Sequence, residues 1–292
     1  MRYILENETL KVEVESFGAE LKSVYSKAED KEYMWYADSK YWGRTSPVLF
    51  PFVGSLKNKE YQYQGNTYAM GQHGFARDME HTLVRKEENS IWFCLKSNEE
   101  TNAKYPFDFV LEIGYELKGN EVKVLWKVTN PSEKEMHFSI GAHPAFLCPF
   151  NGEKDKTGYS LCFDGLKEVH YHGITGDTGL SLKEELVLPL NEEKIALTPE
   201  FFDRCAYIVE GKQTGAVGLV TPEGRRYVNV SFDTPLFAVW SPEGKNAPFV
   251  CIEPWYGRCD AEDFAGTLEE REYNNRLEGK ETFEASYTIT FS

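Results

Sequence analysis

Strict alternation of apolar and polar side chains is the feature of this sequence that most restricts its fold. In residues 9–16, Leu10, Val12 and Val14 alternate with charged residues. The same pattern recurs in residues 109–117, 122–128 and 283–291. A period of two places successive side chains on opposite faces of an extended chain. Each run is therefore typical of a half-buried strand in an antiparallel sheet.

Turn signals separate the apolar runs, and helical patterns are scarce. Gly65-Asn66, Gly119-Asn120 and Glu223-Gly224 each lie between two apolar runs and predict hairpins. Helical periodicity is found in residues 267–276, with Gly279 as a stop signal, so we expect a helix there. The polar residues 151–164 are expected to form an excursion loop.

Many strands with few helices predict an all-β fold, in the form of a large antiparallel β-sandwich with few short helices. The sequence contains neither a Ser/Gly/Pro-rich linker nor a repeat of fixed period. We therefore expect a single domain over residues 1–292. A chain of this length buries about three quarters of its unfolded surface, so its core requires neither disulfide nor metal.

Charge and apolar content exclude several classes of partner. The formal net charge of −15 argues against a nucleic-acid partner, which requires a concentrated basic face. The chain has no run of about 20 apolar residues that would predict a membrane helix, and its charged start is unlike a signal peptide. The six cysteines are scattered without a C-x-x-C pair, which indicates reduced thiols and a cytoplasmic location.

Common catalytic and cofactor motifs are missing from the sequence. It contains no G-x-S-x-G, P-loop, G-x-G-x-x-G or H-E-x-x-H. His170 and His172 would share one face of a strand, but no nearby residue completes a metal site, so we expect an exposed pair. The sequence therefore predicts neither a metal site nor a cofactor.

One carboxylate lies inside an apolar run, where an ionised group is costly to bury. Glu253 follows Cys251 and Ile252 and precedes Pro254 and Trp255. Apolar surroundings would raise its pKa and a neighbouring arginine would lower it, and either change suits a general base. Pro254 restricts the backbone of Glu253 to extended conformations. The competing interpretation is a glutamate at a strand end that points to water.

A histidine occupies a similar setting in residues 139–146 (SIGAHPAF). Small residues leave space beside His143, and Pro144 constrains its backbone. An imidazole titrates near neutral pH, so His143 is a candidate general acid. The alternative is a core histidine that is bound to a backbone carbonyl.

A glycine-containing turn in residues 71–78 (GQHGFARD) presents His73 and Arg77, which suit a polyhydroxylated or anionic ligand. The alternative is a surface hairpin in which Arg77 pairs with Asp78 or another carboxylate. Upstream, Arg44 is a second isolated cation before an apolar run.

Together these segments resemble the aldose 1-epimerase (galactose mutarotase) family, in particular its LacX-like branch. The matching motifs, which run through most of the chain, are residues 44–51 (RTSPVLFP), 73–77 (HGFAR), 141–146 (GAHPAF) and 251–255 (CIEPW). The resemblance implies a β-sandwich with a sugar site on the concave face of one sheet, and cofactor-free interconversion of α and β anomers.

The resemblance also assigns roles to individual residues. Glu253 matches the general base of the family and His143 its general acid. Four further positions match substrate-binding residues: His73, Asp203, Arg44 and Arg77. Trp240 or Trp255 is a candidate to pack on the sugar, although core packing is the alternative for both. The implied partner is a small-molecule sugar, bound by a monomer or homodimer.

Three alternatives to a free-aldohexose mutarotase remain open. Gly141-Ala142 before His143 departs from the galactose-specific pattern, which argues against galactose itself as the sugar. The two arginines Arg44 and Arg77 are similar to those of the related hexose-6-phosphate mutarotases, so a phosphorylated sugar is the first alternative. A second alternative is a non-catalytic carbohydrate-binding protein of the same fold. A glycoside hydrolase or lyase ranks last, because it would usually need two carboxylates or a Tyr/Arg set.

Overall fold

The computed structural model describes residues 1–203 and 206–292, and most of the regular structure in it is extended. The strands in chain order are β1 Arg2–Glu6, β2 Leu10–Glu15, β3 Glu20–Ser26, β4 Lys31–Glu32, β5 Val48–Leu49, β6 Glu60–Tyr63, β7 Asn66–Ala69, β8 Thr82–Lys86, β9 Ser90–Lys96, β10 Val110–Lys118, β11 Glu121–Thr129, β12 Met136–Phe138, β13 Ile140–Ala142, β14 Ala145–Leu147, β15 Ser160–Phe163, β16 Glu168–Ile174, β17 Ser181–Pro189, β18 Lys194–Ala196, β19 Tyr207–Glu210, β20 Ala216–Val220, β21 Arg226–Phe232, β22 Leu236–Trp240, β23 Phe249–Tyr256, β24 Asn275–Leu277 and β25 Thr282–Phe291. The helical segments are α1 Glu99–Lys104 and the 3-10 turns Lys57–Lys59, Ala76–Asp78 and Leu268–Glu270.

Two large antiparallel sheets dominate the described residues. One has nine strands in the order β18-β15-β20-β21-β25-β11-β10-β9-β8, and the other has eight, with β17-β16-β19-β22-β23-β13-β5 in line and β14 beside β23. Their facing side chains meet in one apolar core. Phe163 of β15 lies 6.3 Å from Phe237 of β22, and Trp126 of β11 lies 6.4 Å from Tyr256 of β23, between ring centroids. The predicted all-β sandwich is confirmed.

The alternating runs and turn signals identified their elements correctly. The four runs correspond to β2, β10, β11 and β25, with ends shifted by at most one residue. Gly65, Gly119 and Gly224 lie in the hairpin turns between β6 and β7, β10 and β11, and β20 and β21. All three have positive φ, which a glycine adopts without steric cost.

The predicted helix over residues 267–276 is wrong. Only the 3-10 turn Leu268–Glu270 forms, and strand β24 begins at Asn275. Thr267 and Glu270 make a reciprocal capping box, which accounts for the helix-like start. Arg271 is already extended, with φ −65° and ψ 133°, so helical geometry ends one residue after Glu270. Tyr273 then has φ +58°, a left-handed conformation that also does not continue a helix.

Helix α1 and strand β15 form where the sequence pattern did not predict them. Helix α1 begins at a capping box in which the Asn98 side chain accepts from the backbone N–H of Thr101, a signal that its short length concealed. The expected loop over residues 151–164 contains β15, whose Leu161 and Phe163 are buried. Alternation in a four-residue strand is too brief to separate it from a loop.

The described cysteines fit the prediction of reduced thiols. Each is free and buried: Cys94, Cys148, Cys162, Cys251 and Cys259. Cys205 lies outside the described residues. Within residues 1–203 and 206–292, the helices are all too short to cross a bilayer.

Candidate active site

Alternation along β23 directs Glu253 away from the core between the two sheets. Val250 and Ile252 pack into that core. Cys251, Glu253 and Trp255 therefore lie on the opposite face of the eight-stranded sheet. Two smaller apolar clusters cover this outer face, one around Cys251 and one around Trp255, so Glu253 is buried with 1% of its residue surface exposed.

The pairing register brings His143 opposite Glu253. In β13, Gly141 pairs with Trp255, and in β14, Ala145 pairs with Cys251. Counting inward from either pair reaches His143 and Glu253, which lie in the gap between the two short strands. Directly opposite residues of antiparallel strands place their side chains on one face, about 4.5–5.5 Å apart at Cβ. The two candidate acid–base residues are therefore cross-strand neighbours.

The side chains of this pair make a close contact. His143 Nε2 lies 3.3 Å from Glu253 Oε2, and both side chains are almost fully buried. Glu253 Oε2 and His143 Nδ1 have no hydrogen-bond partner among the described residues. A buried polar atom without a partner is costly, so these atoms are candidates for contact with a ligand.

The pair opens into a pocket of about 260 Å³. This volume is below the range of about 300–1,000 Å³ that is typical of sites for drug-sized ligands, and it suits a ligand of monosaccharide size. The described residues that line it are Trp42, Gly54, Gln72, His73, Arg77, His143, Ile174, Gly179, Ala206, Ile208, Trp240, Glu253, Trp255 and Cys259.

Burial changes the proton affinity of both members of the pair. It raises the pKa of Glu253 well above its usual range, and the indole N–H of Trp255 only partly offsets this effect. Burial, assisted by the positive charge of Arg77, lowers the pKa of His143 to about 3. Both directions favour the uncharged forms, a protonated carboxyl and a neutral imidazole.

His73 is held in one tautomer at the edge of the pocket. Its Nδ1 accepts a 3.0 Å hydrogen bond from the backbone N–H of Gly54, and the backbone N–H of His73 donates to the Gly54 carbonyl at 2.8 Å. Burial and the nearby charge of Arg77 lower the pKa of His73, which keeps the ring neutral. Because Nδ1 accepts, the proton lies on Nε2. The rings of His73 and His143 meet edge to face at 5.5 Å.

The two predicted arginines lie near each other but in different environments. Arg77 lines the pocket and donates to the carbonyl of Gln72 at 2.7 Å. Its buried Nε makes no hydrogen bond among the described residues, but it lies 3.8 Å from Asp78 Oδ2, so Arg77 both lines the pocket and pairs loosely with Asp78. Burial, together with the positive charge of Arg44, lowers the pKa of Arg77 to about 10. Arg44 binds Asp78 at 2.7 Å and is not among the lining residues.

Asp203 is exposed and lies outside the described pocket wall. Its Oδ1 accepts a 3.0 Å hydrogen bond from the backbone N–H of Gly244, in the loop that connects β22 to β23. Arg204 and Cys205, which follow it in the predicted motif, lie outside the described residues, and Ala206 lines the pocket. A substrate-binding role for Asp203 stays a prediction.

Sequence reasoning missed Trp42, which covers the candidate acid. Its ring stacks on His143 with centroids 4.7 Å apart and an interplanar angle of 28°. The ring of Trp240 also contacts the His143 ring, edge to face, with centroids 5.3 Å apart. Trp42 lies two residues before Arg44, and a tryptophan so close to a candidate binding residue was the available signal.

The same site can be compared with known proteins. A sequence profile of the family described as aldose 1-epimerase matches residues 1–261. The chain belongs to the aldose 1-epimerase family. Among curated relatives of this family member are two proteins named LacX, chromosomal and plasmid, from Lactococcus lactis subsp. lactis. Each is 34% identical over 295 residues, with 98% of both chains covered.

Solved structures support the same assignment. A galactose mutarotase related enzyme from Lactobacillus acidophilus is 36% identical, with a TM-score of 0.94 and coverage of 100% of this chain and 97% of that chain. A galactose mutarotase-like protein from Lactobacillus casei ATCC 334 is 28% identical, with a TM-score of 0.93 and full coverage of both chains. The resemblance to the LacX-like branch of the aldose 1-epimerases is confirmed, and family and fold support a mutarotase-like function on a sugar.

Proposed function

We propose that this protein interconverts the α and β anomers of an aldohexose by opening and reclosing the sugar ring, in the cytoplasm and without a cofactor. The observation that carries the proposal is the 3.3 Å contact between His143 and Glu253 at the floor of a sugar-sized pocket. The buried free thiols support a reducing compartment.

Ring opening moves two protons, and the pair supplies one acceptor and one donor. Glu253 removes the proton of the C1 hydroxyl while His143 delivers a proton to the ring oxygen. Burial favours the exchangeable proton of the pair on Glu253. This proton crosses the 3.3 Å contact to His143 when sugar hydroxyl groups donate to the carboxyl group, which leaves a carboxylate base and an imidazolium acid. Rotation about C1–C2 and the reverse transfers then close the ring in the other configuration.

The other pocket residues hold the sugar while C1 turns. The Nε2–H of His73 donates to a sugar oxygen, because its Nδ1 is already occupied by Gly54. The Nε of Arg77, which makes no hydrogen bond among the described residues, provides a second donor. Trp42 and Trp240 offer aromatic surface to the apolar face of the pyranose.

The arginine geometry favours an unphosphorylated sugar. Recognition of a phosphate by two arginines requires both guanidinium groups to reach it. Arg44 binds Asp78 at 2.7 Å, so its charge is already neutralised by a carboxylate. Arg77 lines the pocket wall, but its Nε lies 3.8 Å from the other oxygen of Asp78, so its charge is also partly offset by that carboxylate.

The decisive experiment follows the optical rotation or NMR spectrum of freshly dissolved α-D-glucose and α-D-galactose. The wild type is expected to accelerate equilibration, and Glu253→Gln and His143→Asn should each lower kcat/KM by about 10²–10⁴-fold. Glu185→Gln and His170→Asn are matched controls, because these residues form a partly exposed 2.9 Å pair outside the pocket wall.

The same assay separates the remaining alternatives. Acceleration with glucose 6-phosphate alone would identify the phosphate-specific enzyme instead. Sugar binding by calorimetry, with wild-type and Glu253→Gln proteins equally inactive, would identify a non-catalytic sugar-binding protein. A KM that rises in Asp203→Ala but not in Asp203→Asn would indicate that Asp203 acts through its bond to Gly244 rather than through its charge.

A further inference from the structure

Three side chains of different chemistry converge behind the pocket. One ligand atom each from His143, Cys251 and Glu253 lies within 4.8 Å of the other two, and all three residues are buried. We propose that this cluster binds a thiophilic divalent metal ion, with Zn²⁺ as the type case, and that bound metal inhibits the anomer exchange.

The distance between two of the three ligand atoms agrees with tetrahedral coordination. With zinc bonds of about 2.0–2.1 Å to nitrogen or oxygen, two such ligands lie about 3.3 Å apart. The distance between His143 Nε2 and Glu253 Oε2 is 3.3 Å. Cys251 is two residues from Glu253 on the same face of β23, and its thiol lies within 4.8 Å of the other two ligand atoms.

The cluster also contains a polar atom without a partner. Glu253 Oε2, one of the proposed ligand atoms, has no hydrogen-bond partner among the described residues, and Cys251 has no exposed surface. Trp35 and Phe249 pack around Cys251 and form an apolar wall on that side. A dry wall strengthens coordination, because water cannot compete for the ligand positions.

The ligand types select the metal. A thiolate with an imidazole and a carboxylate suits Zn²⁺ or Co²⁺, whereas Mg²⁺ and Ca²⁺ prefer oxygen ligands alone. Binding releases the thiol proton of Cys251 and the carboxyl proton of Glu253 to the buffer, and no electron is transferred. Three protein ligands leave a fourth position, which faces the pocket because His143 and Glu253 line it.

Bound metal is expected to inhibit mutarotation because the metal and the sugar compete for the same lone pairs of His143 and Glu253. A metal ion bound by His143 and Glu253 occupies the same atoms that transfer protons to and from the sugar. This consequence depends on the proposed function, whereas the metal site itself does not.

The binding test uses metal-free protein and Zn²⁺ in competition with a chromophoric chelator. We expect one Zn²⁺ per chain, no competition from Mg²⁺ or Ca²⁺, and an affinity more than about 100-fold lower in Cys251→Ser, since even outer-shell partners of zinc ligands contribute about 10–100-fold. Cys94→Ser is the matched control, because Cys94 lies on β9 in the other sheet. Equal affinity in the two variants, or no binding by the wild type, would refute the site.

Two further measurements cover a variant that fails to fold. Co²⁺ added to the wild type should produce a thiolate-to-cobalt charge-transfer band, and its absence would also refute the site. Zn²⁺ should lower the mutarotation rate of the wild type by more than about tenfold. The rate of Cys251→Ser should be nearly the same with and without Zn²⁺. Metal binding without any mutarotation would retain the site and reject the proposed function, whereas mutarotation unaffected by bound Zn²⁺ would reject the inhibition.

Discussion

Acid should destabilise this protein through a histidine that is buried in its neutral form. The side chain of His81 donates from Nδ1 to the carbonyl of Met79 at 3.1 Å, and its Nε2 is buried without a partner among the described residues. Burial lowers the pKa of His81 from 6.5 to about 4, although the Met79 carbonyl and Glu80 act in the opposite direction. Protonation would therefore place a charge inside the folded protein.

The sign and size of the effect follow from linkage. Because the folded pKa is lower than the unfolded pKa, the unfolded state binds protons first as the pH falls. The stabilising contribution is complete above about pH 6.5 and is lost as the pH approaches 4. A shift of about 2.5 units corresponds to about 3 kcal/mol, of which about 2 kcal/mol is lost between about pH 7.5 and pH 5.

Urea unfolding, followed by tryptophan fluorescence, measures this contribution against His81→Asn, which keeps a donor for Met79 and does not titrate. The free energy of unfolding of the wild type should fall by about 2 kcal/mol more than that of the variant over this pH range. His170→Asn is the control with the opposite sign, since Glu185 and Glu168 raise the pKa of His170. Parallel pH curves for the wild type and His81→Asn would contradict the reasoning.

Three other substitutions test the site and its support. Gly54→Ala should lower the free energy of unfolding by at least about 2 kcal/mol in urea denaturation and weaken sugar binding, because φ is +74° and a Cβ would lie 2.5 Å from that of Cys259. Trp42→Ala should raise the pKa of His143 toward its ordinary value in an NMR titration, because the stacked ring no longer excludes water; an unchanged titration would contradict this. Arg271→Met should cost about 3–5 kcal/mol in the same unfolding assay, since it leaves Asp260 of a buried 2.7 Å pair without its partner. The double variant Arg271→Met with Asp260→Leu should recover much of that loss.

Local patterns were reliable where they were long. The nine-residue alternations of β10 and β11 identified their strands, since a period of two over that length has no helical interpretation. Short patterns led to two kinds of error: a predicted helix that does not form and a strand that was not predicted. The helical signal after Thr267 ended after a single turn at the extended residue Arg271, and β15 was hidden in a polar segment. Short elements form because residues distant in the sequence pack on them, and a stretch of neighbouring residues carries no information about that packing.

The sequence predicted the candidate catalytic residues of the site, but it did not predict how the residues of the site contact one another. A glutamate and a histidine, each beside a proline in an apolar run, were visible as Glu253 and His143. That Trp42 stacks on His143, and that Arg44 binds Asp78 instead of lining the pocket, was not visible. These contacts join segments about 35 to 100 residues apart, and many other pairings would satisfy the same local patterns.

The amino-acid sequence by itself determined the strands and the chemical groups available, because backbone alternation and side-chain identity are local properties. The tertiary structure alone decided the register that places Glu253 opposite His143, and the burial that shifts their proton affinities. Register and burial depend on how separate strands pair and pack, and the free energy of that packing is a property of the whole sandwich.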